Sequence, residues 1–327
     1  MKKIVGVLGV TFCLMLAGCA SQKQDTIEKR NTDISKDLTY DHSMELEYAK
    51  MFAVDYYQND YALVTIADDG KYLIVPEGES VPEDMDKDIT VLQQPIQNIY
   101  LAASAAMDMF VATDALDAVR FSSLKADGWY IEEAKKAMED GDIIYAGKYS
   151  APDYEMILNE NCGLAIENTM ILHTPEVKEQ MEKFNIPVLV DHSSYETNPL
   201  GRTEWVKLYG LLTGHEDQAE QAFDAEAKAF EQVSDRDATG KTVAFFYITT
   251  NGEANVRKSA DYLPKMIELA GGSYIFDDLG DEEEATSTVS LQMEEFYTGA
   301  KNADYIIYNS TIEGELSSMQ DLLAKSP

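Results

Sequence analysis

Short apolar runs alternate with longer amphipathic ones along most of this chain, and that rhythm predicts its elements. Residues 61–67 and 71–75 are β-rich and flank the turn Asp68-Asp69-Gly70, the pattern of a hairpin. From residue 89 the spacing changes. Residues 89–92, 119–122, 143–146, 164–166 and 188–190 predict strands, and 103–116, 131–139, 153–159 and 175–184 predict helices between them. Strand–helix alternation of this kind predicts a parallel sheet covered by helices on both faces. Residues 201–212 predict a further helix that stops at Gly214. A long helix over 216–233 follows, with Ala219, Ala222, Phe223, Ala227, Phe230 and Val233 mostly three or four apart. Beyond the polar stretch 234–240, a second series predicts a strand at 243–249, helices at 262–270 and 291–300, and a strand at 305–308. No internal repeat and no low-complexity tract interrupts this order.

The first residues follow a different rule. Lys2 and Lys3 precede an apolar stretch over 4–16, too short to span a bilayer as a permanent helix, which closes on Leu16-Ala17-Gly18-Cys19. This resembles the lipobox of a bacterial lipoprotein, which implies a signal peptide over 1–18 and acylation of Cys19. Acyl chains contribute about 0.8 kcal/mol per buried CH2, so two or more hold a soluble domain on a membrane. Residues 20–45 are polar and charge-mixed and predict a flexible tether behind the anchor. The expected location is the extracytoplasmic face of the cell membrane.

Charge narrows the partners. The net charge is −33, and removal of residues 1–18 would take away only Lys2 and Lys3 among charged side chains. Nucleic acid, which needs a basic surface, is excluded as a partner. Cys13 leaves with the signal and Cys19 is the anchor, so Cys162 stands alone and neither an internal disulfide nor a cysteine metal cluster is expected. Beside Gly163-Leu164-Ala165-Ile166, Cys162 reads as a buried structural thiol. Gly-x-Ser-x-Gly, His-Glu-x-x-His and phosphate-loop motifs are all absent, so no enzyme is predicted. A zinc or manganese site needs about three imidazoles. Of His42, His173, His192 and His215, the first falls in the tether and the last opens the long helix, so no resident metal or cofactor is expected.

Two α/β series joined by one long helix, on a chain of this kind, resemble the substrate-binding proteins of the helical-backbone class. The likeness runs from about residue 48 to the end. It is carried by Tyr145-Ala146-Gly147-Lys148-Tyr149 with Pro152-Asp153-Tyr154-Glu155, by Ile186-Pro187-Val188-Leu189-Val190, and by Gly271-Gly272 after Met266-Ile267-Glu268-Leu269-Ala270. The resemblance implies a class III periplasmic binding protein: two Rossmann-like α/β lobes joined by a single backbone helix. On this reading the domains are the signal 1–18, tether 19–45, N-terminal lobe 46–213, backbone helix and linker 214–238, and C-terminal lobe 239–327. Family members usually add a strand and one or two helices after the strand at 305–308. The second lobe is therefore expected to be truncated, with a partly exposed apolar face. The implied activity is capture of a ferric siderophore, or else haem or cobalamin, and delivery to an ABC permease powered by its ATPase. A monomer is expected, and a lipid-anchored enzyme or adhesion domain is the alternative of another class.

Ligands of parallel sheets sit beyond the carboxyl ends of strands, which selects loops. After 119–122 come Trp129 and Tyr130, and after 143–146 come Lys148 and Tyr149. Glu167, Asn168 and Met170 follow 164–166, and His192 and Tyr195 follow 188–190. In the second series Tyr247 ends a strand, and Arg257, Lys258 and Tyr262 lead into the next helix. Of these, Trp129, Tyr130, Lys148, Tyr149, Asn168, Met170, Tyr247, Arg257, Lys258 and Tyr262 are the candidate ligand contacts. Aromatic platforms with a few cations suit a large, flat, partly anionic ligand, and Met170 or His173 is a candidate axial ligand should that ligand be haem. The resemblance further places permease-docking carboxylates at Glu155 and at Glu294, with Glu295 a near-equal alternative for the second.

Overall fold

The computed structural model describes residues 32–234, 237–279, 288–312, 314 and 316–325. The predicted signal peptide and Cys19 lie outside the described residues.

Alternating apolar positions build the first sheet from β1 (Tyr40–Ser43), β2 (Phe52–Tyr57), β3 (Ala62–Ile66), β4 (Gly70–Val75) and β5 (Ile89–Gln93), in that order. All pairings are antiparallel except β4 with β5. The predicted hairpin is β3–β4, and Asp68 adopts the positive φ of 58° that its turn requires. Period-two alternation gives the sheet two buried faces. Val64, Tyr72, Ile74 and Leu92 join one cluster, while Leu63, Leu73, Val75 and Ile89 pack under Ile34 and Leu38. Two expectations change here. The segment read as a tether is packed from Ile34 onward and contributes β1, because Ile34 and Leu38 cover an apolar sheet face. The strand expected to open the helix-covered sheet, at 89–92, instead closes this one.

The second sheet contains β6 (Ile99–Leu101), β7 (Val119–Ser122) and β8 (Ile144–Tyr145). A small antiparallel pair, β9 (Gly147–Lys148) with β10 (Ala151–Pro152), leads on to β11 (Ala165–Asn168) and β12 (Val188–Asp191). Its order is β12-β11-β6-β7-β8, all parallel, as the alternation predicted. Helices cover both faces: α1 (Met107–Ala112), α2 (Glu132–Asp140), α3 (Tyr154–Asn159) and α4 (Pro175–Lys183). Ile99, Leu101, Val119, Ile166 and Leu189 pack with Phe110 of α1. Tyr100, Phe121, Ala165, Val188 and Val190 pack with Ile157 of α3 and Val177 and Met181 of α4. The predicted helix at 201–212 is two, α5 (Pro199–Glu204) and α6 (Val206–Thr213), meeting at the fully buried Trp205. Gly214, at φ 74°, caps α6 in the left-handed conformation. The long helix is α7 (Glu216–Ser234), which buries Ala219 and Phe223 against Val206.

The third sheet differs from its prediction. β13 (Lys241–Ile248) pairs antiparallel with β14 (Ala254–Arg257), and after α8 (Tyr262–Leu269) the chain adds β15 (Gly272–Tyr274) in parallel. β16 (Thr288–Leu291) is antiparallel to β14, α9 (Met293–Ala300) follows, and β17 (Tyr305–Tyr308) runs parallel to β13. The sheet is therefore mixed. Phe246, Phe276 and Phe296 form its aromatic centre, with Phe246 and Phe296 centroids 4.4 Å apart. Tyr305, Ile306 and Ile307 of β17 are all exposed, and α10 (Met319–Lys325) buries no residue. Among the described residues, no helix is long and apolar enough to cross a membrane.

Candidate functional site

The five parallel strands of the second sheet end at Leu101, Ser122, Tyr145, Asn168 and Asp191, and the loops leaving them carry most of the predicted contacts. Tyr130 is 89% exposed, Met170 is 48% exposed, Lys148 is exposed, and Tyr149 is half-buried. Lys148 and Tyr149 owe their place to Gly147. At φ 86°, any Cβ on Gly147 would lie 2.4 Å from the carbonyl oxygen of Ala151, so only glycine closes this corner. Asn168 is occupied with structure: its amide donates to the Ala102 carbonyl at 2.9 Å and its oxygen accepts from the Met170 amide at 2.9 Å.

Trp129 is a correction. It is 7% exposed within the main core, and its indole N–H donates to the Ser122 hydroxyl at 3.1 Å. A buried indole needs a partner for that hydrogen, and Ser122 at the strand end supplies it. Trp129 is thus a core residue beneath the loop and not a platform above it. His192 is likewise buried, its ring tilted 30° from that of Tyr195 at a centroid distance of 5.5 Å, and desolvation holds its imidazole below the usual histidine range.

Where the second sheet meets the third, the structure brings together residues that sequence spacing separates. Arg202 of α5 lies over the ring of Tyr262, the first residue of α8, with its guanidinium carbon 3.6 Å from the centroid. Arg257, at the end of β14, stands 6.0 Å from the same ring and 3.4 Å from the buried Asp261 carboxylate. Arg202 is fixed from its own side: Nε donates to the Glu196 carbonyl at 3.2 Å and Nη2 donates to the Ser194 carbonyl. Burial lowers its pKa, an effect opposed by Tyr262, Asp261 and Glu196. Two of the predicted contacts, Arg257 and Tyr262, therefore belong to one cluster. Lys258 lies in the same turn, and Asp261 donates its amide to the Lys258 carbonyl at 3.1 Å. Tyr247 sits half-buried within β13. Arg202 was missed because Pro199-Leu200-Gly201-Arg202 reads as a helix start, and its stacking partner is sixty residues away.

Beside this cluster lies a cavity of about 580 Å³. Tyr48, Lys50 and Asn198 wall it on one side, and Asp261, Lys265 and Tyr274 on the other. The 47–51 turn is held by two buried carboxylates. Glu204 accepts from the amides of Glu47, Tyr48 and Ala49 at 2.9, 2.8 and 2.8 Å. Glu196 accepts from the amides of Lys50 and Met51 at 2.9 and 2.8 Å and from the Trp205 indole at 3.1 Å. Neither role was legible in the sequence, where acids are too common to single out.

Glu167 is the other unforeseen group. It is fully buried on the α3/α4 face of β11, and neither carboxyl oxygen has a hydrogen-bond partner. Desolvation pushes its pKa up to about 8, so it is largely uncharged at neutral pH. Cys162, read from the sequence as a buried structural thiol, is partly buried, and burial raises its thiol to about 11. Glu155 and Glu294 are both exposed in the first turns of α3 and α9. Among the described residues no group of three or more His, Cys, Asp or Glu converges on a metal position.

With this geometry in place, known proteins give a consistent comparison. A periplasmic binding protein from Veillonella parvula superposes on 71% of this chain and 75% of its own, with TM-score 0.56 and 15% identity. The periplasmic haem-binding protein HutB of Vibrio cholerae covers 71% of this chain and 85% of its own, with TM-score 0.55 and 17% identity. The fold is that of the periplasmic substrate-binding proteins. The expected α/β fold with parallel sheets is therefore present, with a mixed third sheet in place of a purely parallel one. In sequence, an uncharacterized lipoprotein of Methanocaldococcus jannaschii is 25% identical over 346 residues, spanning 95% of this chain and 81% of the relative. A second uncharacterized lipoprotein of that organism is 22% identical across 99% of this chain and 84% of its own length. No family model matches the chain.

Proposed function

We propose that this chain is the extracytoplasmic solute-binding component of an ABC importer, tethered through acylated Cys19, which captures a ferric siderophore and hands it to the permease. It makes and breaks no bond. The observation that carries this reading is the Arg202–Tyr262–Arg257 cluster, set at the junction of two α/β units beside an open cavity. Guanidinium groups suit carboxylate or catecholate oxygens because each fork reaches two at once. Tyr130, Tyr149 and Met170 at the sheet edge offer the apolar and aromatic surface a bulky chelate needs. The units before and after α7 act as the two lobes, and one stiff helix between them limits the motion on binding.

Haem or cobalamin is the second reading, supported by the fold shared with a haem-binding protein and by exposed Met170 and His173 on one loop. Glu155 and Glu294, with Glu295 a near-equal alternative for the second, serve as the docking carboxylates toward the permease, guiding encounter more than fixing affinity. Calorimetric titration with a ferric catecholate, a ferric hydroxamate, haem and cobalamin tests the proposal. Tryptophan quenching is a poor readout here, since Trp129 and Trp205 are both in the core. Saturable binding of a ferric chelate is expected, saturation by haem or cobalamin alone would favour the second reading, and no binding to any of the four would sink both.

A further inference from the structure

Glu167 has no part in the reading above, yet its placement is costly and specific. Both of its oxygens are buried and unpartnered at the carboxyl end of a central strand. The groups that face it are Tyr100 from β6 and Tyr154 from α3, whose phenols are both raised, by desolvation first and by Glu167 second. From α4, Glu176 also acts on Tyr154, adding a further negative charge to this side. Burial alone perturbs Glu167 itself, with no cation to offset it. A carboxyl in such a place is tolerated neutral and strongly disfavoured as an anion.

The next residues form the loop predicted to touch ligand. Asn168 ties the 169–173 turn to Ala102 and caps Met170. Within that turn only Ile171 is buried, whereas Met170 and Leu172 are 48% and 52% exposed. The turn begins two residues after Glu167 and packs Ile171 into the same cluster as Tyr100 and Ile157, so a single buried side chain seats it. Opening α3 or α4 would uncover Ile157, or Val177 and Met181.

We infer that Glu167 is a proton-operated lock on the 169–173 turn: the neutral carboxyl keeps the turn seated, and loss of its proton releases it. The inference draws on the proposed function only in taking this turn as a wall of the ligand cleft. Regulation follows from it, because the cleft wall is ordered on the acid side and loosened on the alkaline side.

Hydrogen exchange of the detergent-solubilised full chain at pH 6 and pH 9, corrected for intrinsic rates, tests the lock without any ligand. Protection across 169–173 is expected to fall at least tenfold at pH 9, while β3 keeps its protection. In Glu167→Gln, and in Glu167→Leu should the amide variant fold poorly, the turn is expected to hold equal protection at both pH values. Unchanged protection in the natural chain, or an unaltered pH response in the variants, would overturn the lock. Failure of the solute-binding reading would show only in ligand titrations, so the two are separable.

Discussion

Replacing Glu204 with alanine is the sharpest test of how the cavity wall is held. Its carboxylate is completely buried and accepts from three consecutive amides, those of Glu47, Tyr48 and Ala49. It also lies 3.5 Å from Lys207, which keeps Glu220 at 3.2 Å as a second partner. The variant strands three N–H donors. A buried unsatisfied donor costs roughly 1–3 kcal/mol, and only the Ala49 bond is wholly buried, so about 4 kcal/mol in total is expected. Glu204→Gln keeps one acceptor oxygen, which in the place of Oε2 serves Tyr48 and Ala49, and should lose only about 1–2 kcal/mol. Urea unfolding of both variants, beside the exposed control Glu226→Ala, gives the numbers through the midpoint at constant slope. The control should stay within about 0.5 kcal/mol. A loss below about 1 kcal/mol for alanine, or glutamine no better than alanine, would refute the claim that these three bonds hold the turn.

Other outcomes follow from single groups. Glu167 has a folded-state pKa raised from 4.5 to about 8, so its favourable contribution is complete below pH 4.5 and is lost as pH rises through 8. Glu167→Gln should accordingly match the natural chain near pH 4 and be more stable by about 3 kcal/mol at pH 7, approaching roughly 5 above pH 8, as read by urea midpoints across pH. Gly147→Ala should lose on the order of 3 kcal/mol by the same assay, because its Cβ meets the Ala151 carbonyl and the backbone is left-handed. Cys162, with its thiol pushed up to about 11, should react with iodoacetamide at pH 8 roughly a hundredfold more slowly than an unburied cysteine, followed by peptide mass mapping. Arg202→Ala should weaken ligand binding at least tenfold in calorimetry, with Tyr262→Ala adding little further, since the two act as one stacked unit.

Much of the layout was legible in the chain, and the reasons it was differ from one part to another. Runs such as Val119–Ser122 and Val188–Asp191 are short, apolar and followed by amphipathic helices, so period alone locates them. β6 escaped because three residues, Ile99-Tyr100-Leu101, give no period to detect, although it is the centre of the parallel sheet. β14 and β16 turn the third sheet mixed, and strand direction is set by pairing partners that spacing does not encode. For the site, the rule about strand ends selected loops that the structure does place there, and it misjudged the burial of Trp129. Trp129 looked like a platform until Ser122 supplied its hydrogen-bond acceptor. Arg202, Glu196 and Glu204 act on residues far along the chain, and Glu167 matters for lacking partners altogether. Properties of that kind exist only once the chain has folded.

Capture of a metal chelate is tested most directly by equilibrium dialysis of the detergent-solubilised chain against a radiolabelled ferric siderophore, with haem and cobalamin dialysed in parallel. The account predicts one ferric chelate retained per chain, and retention abolished or much weakened in Arg202→Ala. No retention of any of the three, or retention indifferent to Arg202, would contradict it.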